Sequence, residues 1–391
     1  MGGWHDAGDY GRYVVAGAKA VMDLLRAYEC SKDKFTKFDI LDEVRFELEW
    51  MLQMQREDGA VYHKISCYHF CGFIMPQDEK EEIVLAPIST SATADFAGCA
   101  AFAVKFYREL DSDFADRLYN AALKAQAYLD YHEDEFYKNP SEITTGGYGD
   151  GFLYDERYFA LCALFEMTGA ISYLHAAKEI REIAISIPVN EKEPWRRGWF
   201  DAFSWGNVSA YGTEILLKNK EKIDDKEFID SLEKSILQTA DGLLKNVNTS
   251  PFGVSSGKIF WGSNGVVCDD AHMLLLAYDL SKNTDYYEAA KKQLDYILGC
   301  NPLNICYISG EGVNSTKNPH HRPSGFIGKT MPGMLAGGPC AGLHDAVARE
   351  MLQGKAPLSC YIDNIQSYST NEIAIYWNSP LVYIVAKLGM L

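Results

Sequence analysis

The sequence predicts an all-α protein, and three observations predict it. Apolar residues recur at helical spacing along most of the 391-residue chain. Strand-like alternation is confined to a few short pieces. Gly, Pro, His and acidic residues collect between the periodic stretches, where they read as long loops.

Taken in order, Val14, Ala18, Val21 and Leu25 mark one apolar helix face, and Val44, Leu48, Met51 and Leu52 a second. Phe96, Cys99, Phe102 and Phe106 give a third, and Tyr158, Leu161, Cys162 and Phe165 a fourth. Further helices are expected over 113–131, 171–185, 206–218, 225–246, 266–281, 284–298 and 371–388. The 266–281 stretch is apolar around much of its circumference, as an inner helix flanked by others would be. Only Val61-Tyr62 and 305–309 read as strand. The loops between are 2–10, 57–90, 141–156, 247–264 and 300–345. The last is far longer than a connection needs to be, which marks a binding surface. No Pro-, Gly- or Ser-rich linker divides the chain and no repeat of roughly 20–50 residues recurs. One continuous domain over 1–391 is therefore expected, not a solenoid.

Composition removes several function classes. A formal charge of −17 argues against nucleic acid or an anionic membrane as partner, because both require clustered Lys and Arg. It suits a neutral polymer, which an acidic protein does not repel. The 24 Tyr, 19 Phe and 7 Trp suit sugar rings, whose C–H faces lie on aromatic rings, although a core uses the same residues. No apolar run approaches the ~18–20 residues of a membrane span. The ten cysteines lack the regular framework of a small secreted scaffold. Cys99, Cys162 and Cys268 lie in apolar runs and read as reduced, buried thiols.

Chemistry concentrates in three places. In Gly2-Gly3-Trp4-His5-Asp6-Ala7-Gly8-Asp9-Tyr10, two carboxylates three residues apart on a tight loop can point at one spot, one deprotonating a water that the other holds. The same residues also suit a loop in which Asp6 or Asp9 caps a helix beginning near Gly11. In 361–379, Glu372 is expected in the first turn of a helix whose buried face is Ile373, Trp377 and Leu381, where an acid favours the helix dipole. Desolvation among Tyr368, Trp377 and apolar neighbours would instead raise its pKa and keep a proton ready for a leaving oxygen. In Asn318-Pro319-His320-His321-Arg322, adjacent histidines point different ways, so hydrogen bonding to substrate hydroxyls fits better than zinc. His63, Cys67, His69 and Cys71 have zinc-ligand atoms, but their irregular spacing among Tyr, Phe and Ile favours a packed loop.

Together these motifs resemble those of glycoside hydrolase family 9, the cellulase family with an (α/α)6 barrel. Tyr361, Asp363, Tyr368, Glu372, Ala374, Asn378 and Ser379 match its C-terminal pattern at every fixed position. Ile308, Ser309, Gly312, Asn314, Pro319, His320 and Arg322 match its His-x-Arg motif, with Cys306 the one departure. The start at 2–10, the Ser-Ala-Thr-Ala-Asp-Phe run at 91–96 and Leu298-Gly-Cys-Asn-Pro302 are similar as well, so the likeness covers essentially the whole chain.

The resemblance implies an inverting endo-β-1,4-glucanase acting on β-glucan or cello-oligosaccharides. Asp9 would be the general base, Asp6 would help hold the water and Glu372 would be the general acid. His320, Arg322 and Asp363 would bind substrate, Tyr368 would support the acid, and Trp261 and one of Trp195, Trp199 or Trp205 would be sugar platforms. Inversion needs the two carboxyls roughly 6.5–9.5 Å apart, with room for water between. No cofactor is required for this chemistry. A structural calcium is expected at Asp150, Asp155, Glu156 and Asp201, clustered oxygens being what calcium takes. The family's bacterial branch carries a zinc site that would include His5, but its upstream Cys and His ligands are absent from this sequence. The chain begins at the Asp loop, so a barrel lacking its first helix is expected, and Cys340 and Tyr376 depart from usual residues. A monomer is expected, secreted and bacterial by resemblance although the sequence carries no export signal. An exo-acting cellobiohydrolase, β-glucosidase or glucosaminidase of the same family is the neighbouring alternative, and a non-catalytic sugar-binding fragment the more distant one.

Overall fold

Fourteen α-helices run through residues 2–37, 39–187 and 200–390, the part of the chain that the computed structural model describes. Trp195 and Trp199 lie outside the described residues. The chain divides into two compact units: Met1–Trp4, Gly11–His69 and Glu82–Ile236 form the first, and His5–Tyr10, Phe70–Glu81 and Leu237–Leu391 the second.

In the first unit, α1 (Val14–Cys30) packs on α2 (Ile40–Met54) and α3 (Thr90–Tyr107), and α3 also packs on α4 (Ser112–Tyr131) and α5 (Tyr154–Thr168). The α3 sequence explains its place. Asp95 and Lys105 are its only charged residues, and its many alanines let neighbours approach from all sides, so it is buried around most of its circumference. Ser89 caps it by accepting from the Ala92 amide, and Asp111 caps α4 by accepting from the Phe114 amide. Beyond α5 come α6 (Ile171–Ser186) and α7 (Ser209–Lys218), both packed on α5; α8 (Lys226–Thr249) runs on into the second unit.

The strands of this unit lie where the sequence reading did not put them. β1 (Arg12–Tyr13), β2 (Lys64–Cys67) and β3 (Ile83–Leu85) form an antiparallel sheet in that order, with Arg12 opposite Ile65 and Ile65 opposite Leu85. Val61 and Tyr62 make only isolated bridges, to Gln55 and Ile88. His63 is buried, stacks on Tyr137 at 3.8 Å and bonds to Ser89 and to the Gly147 carbonyl. The segment expected as a packed loop is therefore packed at His63, but Lys64–Cys67 within it is strand and His69 is exposed.

In the second unit, α9 (Ser263–Ser281) is buried along most of its length and packs against α10 (Thr284–Leu298) and α14 (Ile375–Lys387). It starts a turn before the expected 266. Gly262, at φ +85°, turns the chain into the helix, and a Cβ there or at Gly265 would collide with the Trp377 ring. Short helices α11 (Arg322–Ile327), α12 (Ala346–Leu352) and α13 (Tyr368–Asn371) break up the regions read as loop. The helix expected over 371–388 is corrected to Ile375–Lys387, with consequences for Glu372 given below. Its expected buried face holds: Ile373, Trp377 and Leu381 are all at most 8% exposed. Among the described residues no helix is long and apolar enough to cross a membrane.

Several buried charges in the first unit are paired. Arg26 on α1, 1% exposed, reaches Glu214 on α7 at 3.0 Å and Glu29 at 2.8 Å. Arg26→Ala would leave Glu214 in the interior with only the half-exposed Lys218, at 3.2 Å, a loss of up to about 3–5 kcal/mol. The expected outcome is a markedly lower midpoint in thermal and urea unfolding; an unchanged midpoint would show that the pair does not hold α1 to α7.

Candidate active site

The backbone fixes Glu372 before its side chain does anything. α13 ends one residue earlier and α14 begins three residues later, so Glu372 itself is extended, at φ −69° and ψ 154°. It is pinned from both sides. The His320 amide donates to the Asn371 carbonyl at 2.8 Å; the Gly337 amide donates to the Glu372 carbonyl at 2.8 Å and the Gly338 amide to that of Thr370 at 2.9 Å. The expected first-turn position would have aimed helix amides at the carboxyl and favoured its ionised form. The extended position does not. Burial lifts Glu372 well above the usual carboxylate range, and the charges of Asp9 and Asp6 lift it further, against a hydrogen bond from Trp261 and the charge of Arg322. These surroundings favour the protonated form of Glu372.

Asp6 and Asp9, 1% and 6% exposed, come from the loop that carries them both. The Ile375 amide donates to the Asp6 carbonyl at 2.7 Å, and the Arg322 amide to the Gly8 carbonyl at 3.1 Å, so the loop is tied to both flanks of the acid. Gly8 permits this approach: a Cβ there would overlap the His320 carbonyl oxygen. Neither aspartate caps a helix near Gly11, since α1 starts at Val14 with Tyr13 as its cap. The Tyr10 hydroxyl donates to the Ile74 carbonyl.

His320 and Arg322 lie beside this loop. His320 donates from Nδ1 to the Ile365 carbonyl at 2.6 Å, and burial lowers its pKa, so the neutral ring keeps Nε2 as an acceptor. Phe73 meets that ring edge-on at 5.4 Å. Arg322, 7% exposed, donates from Nε to the Cys71 carbonyl at 2.8 Å. His321 caps α11 by accepting from Ser324. Trp261, 38% exposed, donates from Nε1 to Glu372 Oε2 at 3.1 Å and packs on Tyr368, itself 36% exposed, at 5.3 Å. Of the other platform candidates, Trp205 stands edge-on to Tyr148 at 4.9 Å in the first unit.

Asp363 differs from its expected part in substrate binding. Its two oxygens accept from the Lys317 and Asn318 amides at 2.9 and 2.8 Å and from the Asn371 side chain at 3.1 Å. It fastens the His320 loop to the residue before Glu372. Two more such residues escaped sequence reasoning. Asn371, fully buried, donates to the Asn318 carbonyl and accepts from Tyr361. Asp345, 1% exposed, accepts from the Ser369 amide and the Ser367 hydroxyl on either side of Tyr368. The only signal for either was proximity to a motif, because a polar residue that bonds backbone looks in sequence like any loop residue.

The expected metal ligands separate into two groups, all in the first unit. Asp155 and Glu156 are buried, and Asp150 lies with them, accepting from the Phe152 amide at 2.7 Å. Burial and mutual repulsion push Asp155 up to about 8, and burial pushes Asp150 up to about 6. Asp95 of α3, not expected there, joins them: it is wholly buried, the charges acting on it are Asp155 and Asp150, and neither of its oxygens has a hydrogen-bond partner. One oxygen each of Asp155 and Glu156 is likewise without one. Asp201 does not fit the expected set. Arg181 takes both its oxygens, at 3.0 and 2.7 Å, and Thr213 and Ser235 also donate to it, because a buried carboxylate with a guanidinium in reach pairs with it.

Two buried carboxylates on one loop thus act electrostatically on a half-buried carboxyl whose protonated form is favoured. Residues 1–385 match the model described as Glycosyl hydrolase family 9, and the chain belongs to that family. It is 38% identical to a cellodextrinase of Butyrivibrio fibrisolvens, over 99% of this chain and 74% of that protein. It is 33% identical to endoglucanase D of Acetivibrio thermocellus, over 98% of this chain but only 60% of that longer protein. Among solved structures, a thermostable endoglucanase from Alicyclobacillus acidocaldarius superposes with a TM-score of 0.91 at 36% identity, covering 99% of this chain and 74% of that one. The fold is accordingly that of the family, the expected (α/α)6 barrel class.

The raised pKa of Glu372 has a stability consequence whose sign is fixed. A carboxyl protonated more readily in the folded than in the unfolded chain adds stability below the unfolded value, roughly 4.3, and loses it as pH rises through the folded value. Glu372→Gln should therefore melt no lower than the parent near pH 4 and clearly higher at pH 8. A lower midpoint at both pH values would show that the carboxyl is not buried against its own charge.

Proposed function

We propose that the chain is an inverting endo-β-1,4-glucanase with Glu372 as general acid and Asp9 as general base. The observation that carries this reading is the environment of Glu372: half-buried, facing like charge, and excluded from the helix that would have ionised it. Glu372 gives its proton to the glycosidic oxygen as the bond to the anomeric carbon breaks. Asp9 takes a proton from a water that Asp6 helps to hold, and the water oxygen attacks that carbon from the opposite face. Neutral His320, with Nε2 as acceptor, and Arg322, with the guanidinium nitrogens beyond Nε, bind sugar hydroxyls beside the cleaved bond, while Trp261 and Tyr368 offer aromatic faces. The relatives' activities on cellodextrin and glucan point to β-1,4-linked glucose as substrate. Residues 1–391 act as one catalytic domain.

Attack from the far face turns a β-linkage into an α-product. Proton NMR of cellopentaose hydrolysis should show α-anomeric reducing ends first, and β-anomers first would sink the mechanism. Asp9→Asn and Glu372→Gln should each lower kcat by about 10²–10⁴-fold, with sugar binding retained. Endo action predicts that the viscosity of carboxymethylcellulose falls before many reducing ends appear.

The first unit's buried carboxylates offer the oxygen donors that a calcium ion takes, without converging as closely as its ligands would. Oxygens of Asp95, Asp155 and Glu156, with Asp150 beside them, would hold it, and it would supply the positive charge that makes their burial tolerable. Such an ion is structural: it bears on stability, and no step of hydrolysis runs through it. Chelation should lower the thermal midpoint, added calcium should restore it, and Asp95→Asn should blunt the response. A midpoint indifferent to both would mean that these carboxyls are simply protonated.

A further inference from the structure

A cavity of about 360 Å³, to which no part has yet been given, is lined by Gly342, Leu343, His344, Arg349 and Gln353. It is one aromatic ring away from the acid. The His344 ring stacks on Trp261 with centroids 6.0 Å apart and planes 27° from parallel, and Trp261 donates to Glu372 Oε2. Tyr368 closes the group, packing on Trp261 and donating its hydroxyl to the His344 carbonyl at 3.2 Å.

The turn that presents His344 is held by its surroundings. Leu343 has φ +46°, a left-handed conformation that a branched side chain adopts only at a cost. Arg349 offsets it, donating from Nη1 to the Leu343 carbonyl at 3.3 Å and to the His344 carbonyl at 2.9 Å. The next residue, Asp345, is buried and fastened to Ser367 and Ser369. A strained turn locked at both ends is out of keeping with an idle surface loop. What it displays is an exposed imidazole against an indole, with N–H groups of Arg349 and Gln353 behind. An aromatic face with hydrogen-bond donors at its edge recognises a neutral ring bearing hydroxyls.

We propose that this cavity is a subsite for the leaving saccharide, with His344 as its specificity-determining residue and Arg349 holding the turn. The inference rests on the reading of Glu372 as the acid. The unit whose oxygen takes the proton departs from Glu372, so it lies against the groups that surround that carboxyl: Trp261, Tyr368 and, one ring further, His344. The enzyme accordingly favours an oligosaccharide leaving group over a small aryl one, which reaches Trp261 but not the cavity.

The test compares cellotetraose with 4-nitrophenyl β-cellobioside for the parent, His344→Ala and Gln353→Ala, after circular dichroism and thermal midpoints show that the variants fold. The expected result for His344→Ala is a KM for cellotetraose raised about tenfold with kcat little changed, and aryl cellobioside kinetics within about twofold of the parent. Gln353→Ala should move the same parameter in the same direction by less. Equal losses on both substrates would make His344 a support for the acid and overturn the subsite, as would no change on either. If the parent hydrolyses neither substrate, the acid–base reading fails instead. The subsite is then decided by calorimetry with cellobiose, which must bind His344→Ala about tenfold more weakly than the parent; equal affinity overturns it.

Discussion

Everything around the candidate site follows from one electrostatic constraint: a carboxyl must hold its proton next to two other carboxylates. In water Glu372 would ionise at an ordinary pH, and near a helix N-terminus more readily still. Burial and the field of Asp9 and Asp6 act the other way. For that to work, the side chain must not drift to solvent and the backbone must not offer amides to it. Main-chain bonds meet the second condition, and the hydrogen bond from Trp261 restrains the side chain. The amides of Gly337 and Gly338 and the carbonyl of Asn371 hold the 370–372 segment extended between two neighbours. α14 starts only where the Ile375 amide has found the Asp6 carbonyl. That one bond also ties the Asp6–Asp9 loop to the segment that follows Glu372, so the helix start and the site geometry are linked.

Carboxylates serve opposite purposes a few residues apart in this unit, and environment alone divides them. Asp345 is buried, which by itself would raise its pKa, yet hydrogen bonds from Ser369, Ala348 and Ser367 hold it below the usual carboxylate range. Asp363 accepts two backbone amides and an asparagine. Both remain anchors because donors converge on them. Glu372 receives one indole N–H and faces negative charge. An anchor and an acid differ by the count of donors in reach, which a sequence does not display.

This difference sets what was legible in the sequence. The helical class and α10 could be read from periodicity, because α10 has polar and apolar faces and a capping asparagine at 283. The start of α9 was misplaced because Gly262 and Ser263 look like loop residues, although the glycine's positive φ is what opens the helix. The helix expected from 371 ran four residues too far toward the N-terminus, since Glu372-Ile373-Ala374 has good helical propensity that tertiary bridges to 320 and 336 override. Of the site residues, Asp6, Asp9, His320, Arg322, Trp261, Tyr368 and Glu372 come together in one unit, as the motifs implied. Asp363 proved an anchor, and Gly8, Asn371 and Asp345 were passed over, because close backbone approach and backbone hydrogen bonding are set by partners distant in sequence.

The first unit sharpens the contrast between charges that are matched and charges that are not. Arg26 meets Glu214, Lys19 meets Asp23, and Arg181 grips Asp201, each pair at least nine-tenths buried. A fold that supplies a cation to each of these carboxylates leaves Asp95, Asp155 and Glu156 with one another, and with oxygens that no donor reaches. Desolvating like charges together without a counter-ion is costly enough that two ways of holding them remain: protonation or a bound cation. Asp201 stands outside that choice. Arg181 already neutralises it, so it has no need of an ion, whereas the three carboxyls around Asp155 have no guanidinium among the charges that act on them. The pairing of one aspartate thereby confines that choice to the residues that remain unmatched.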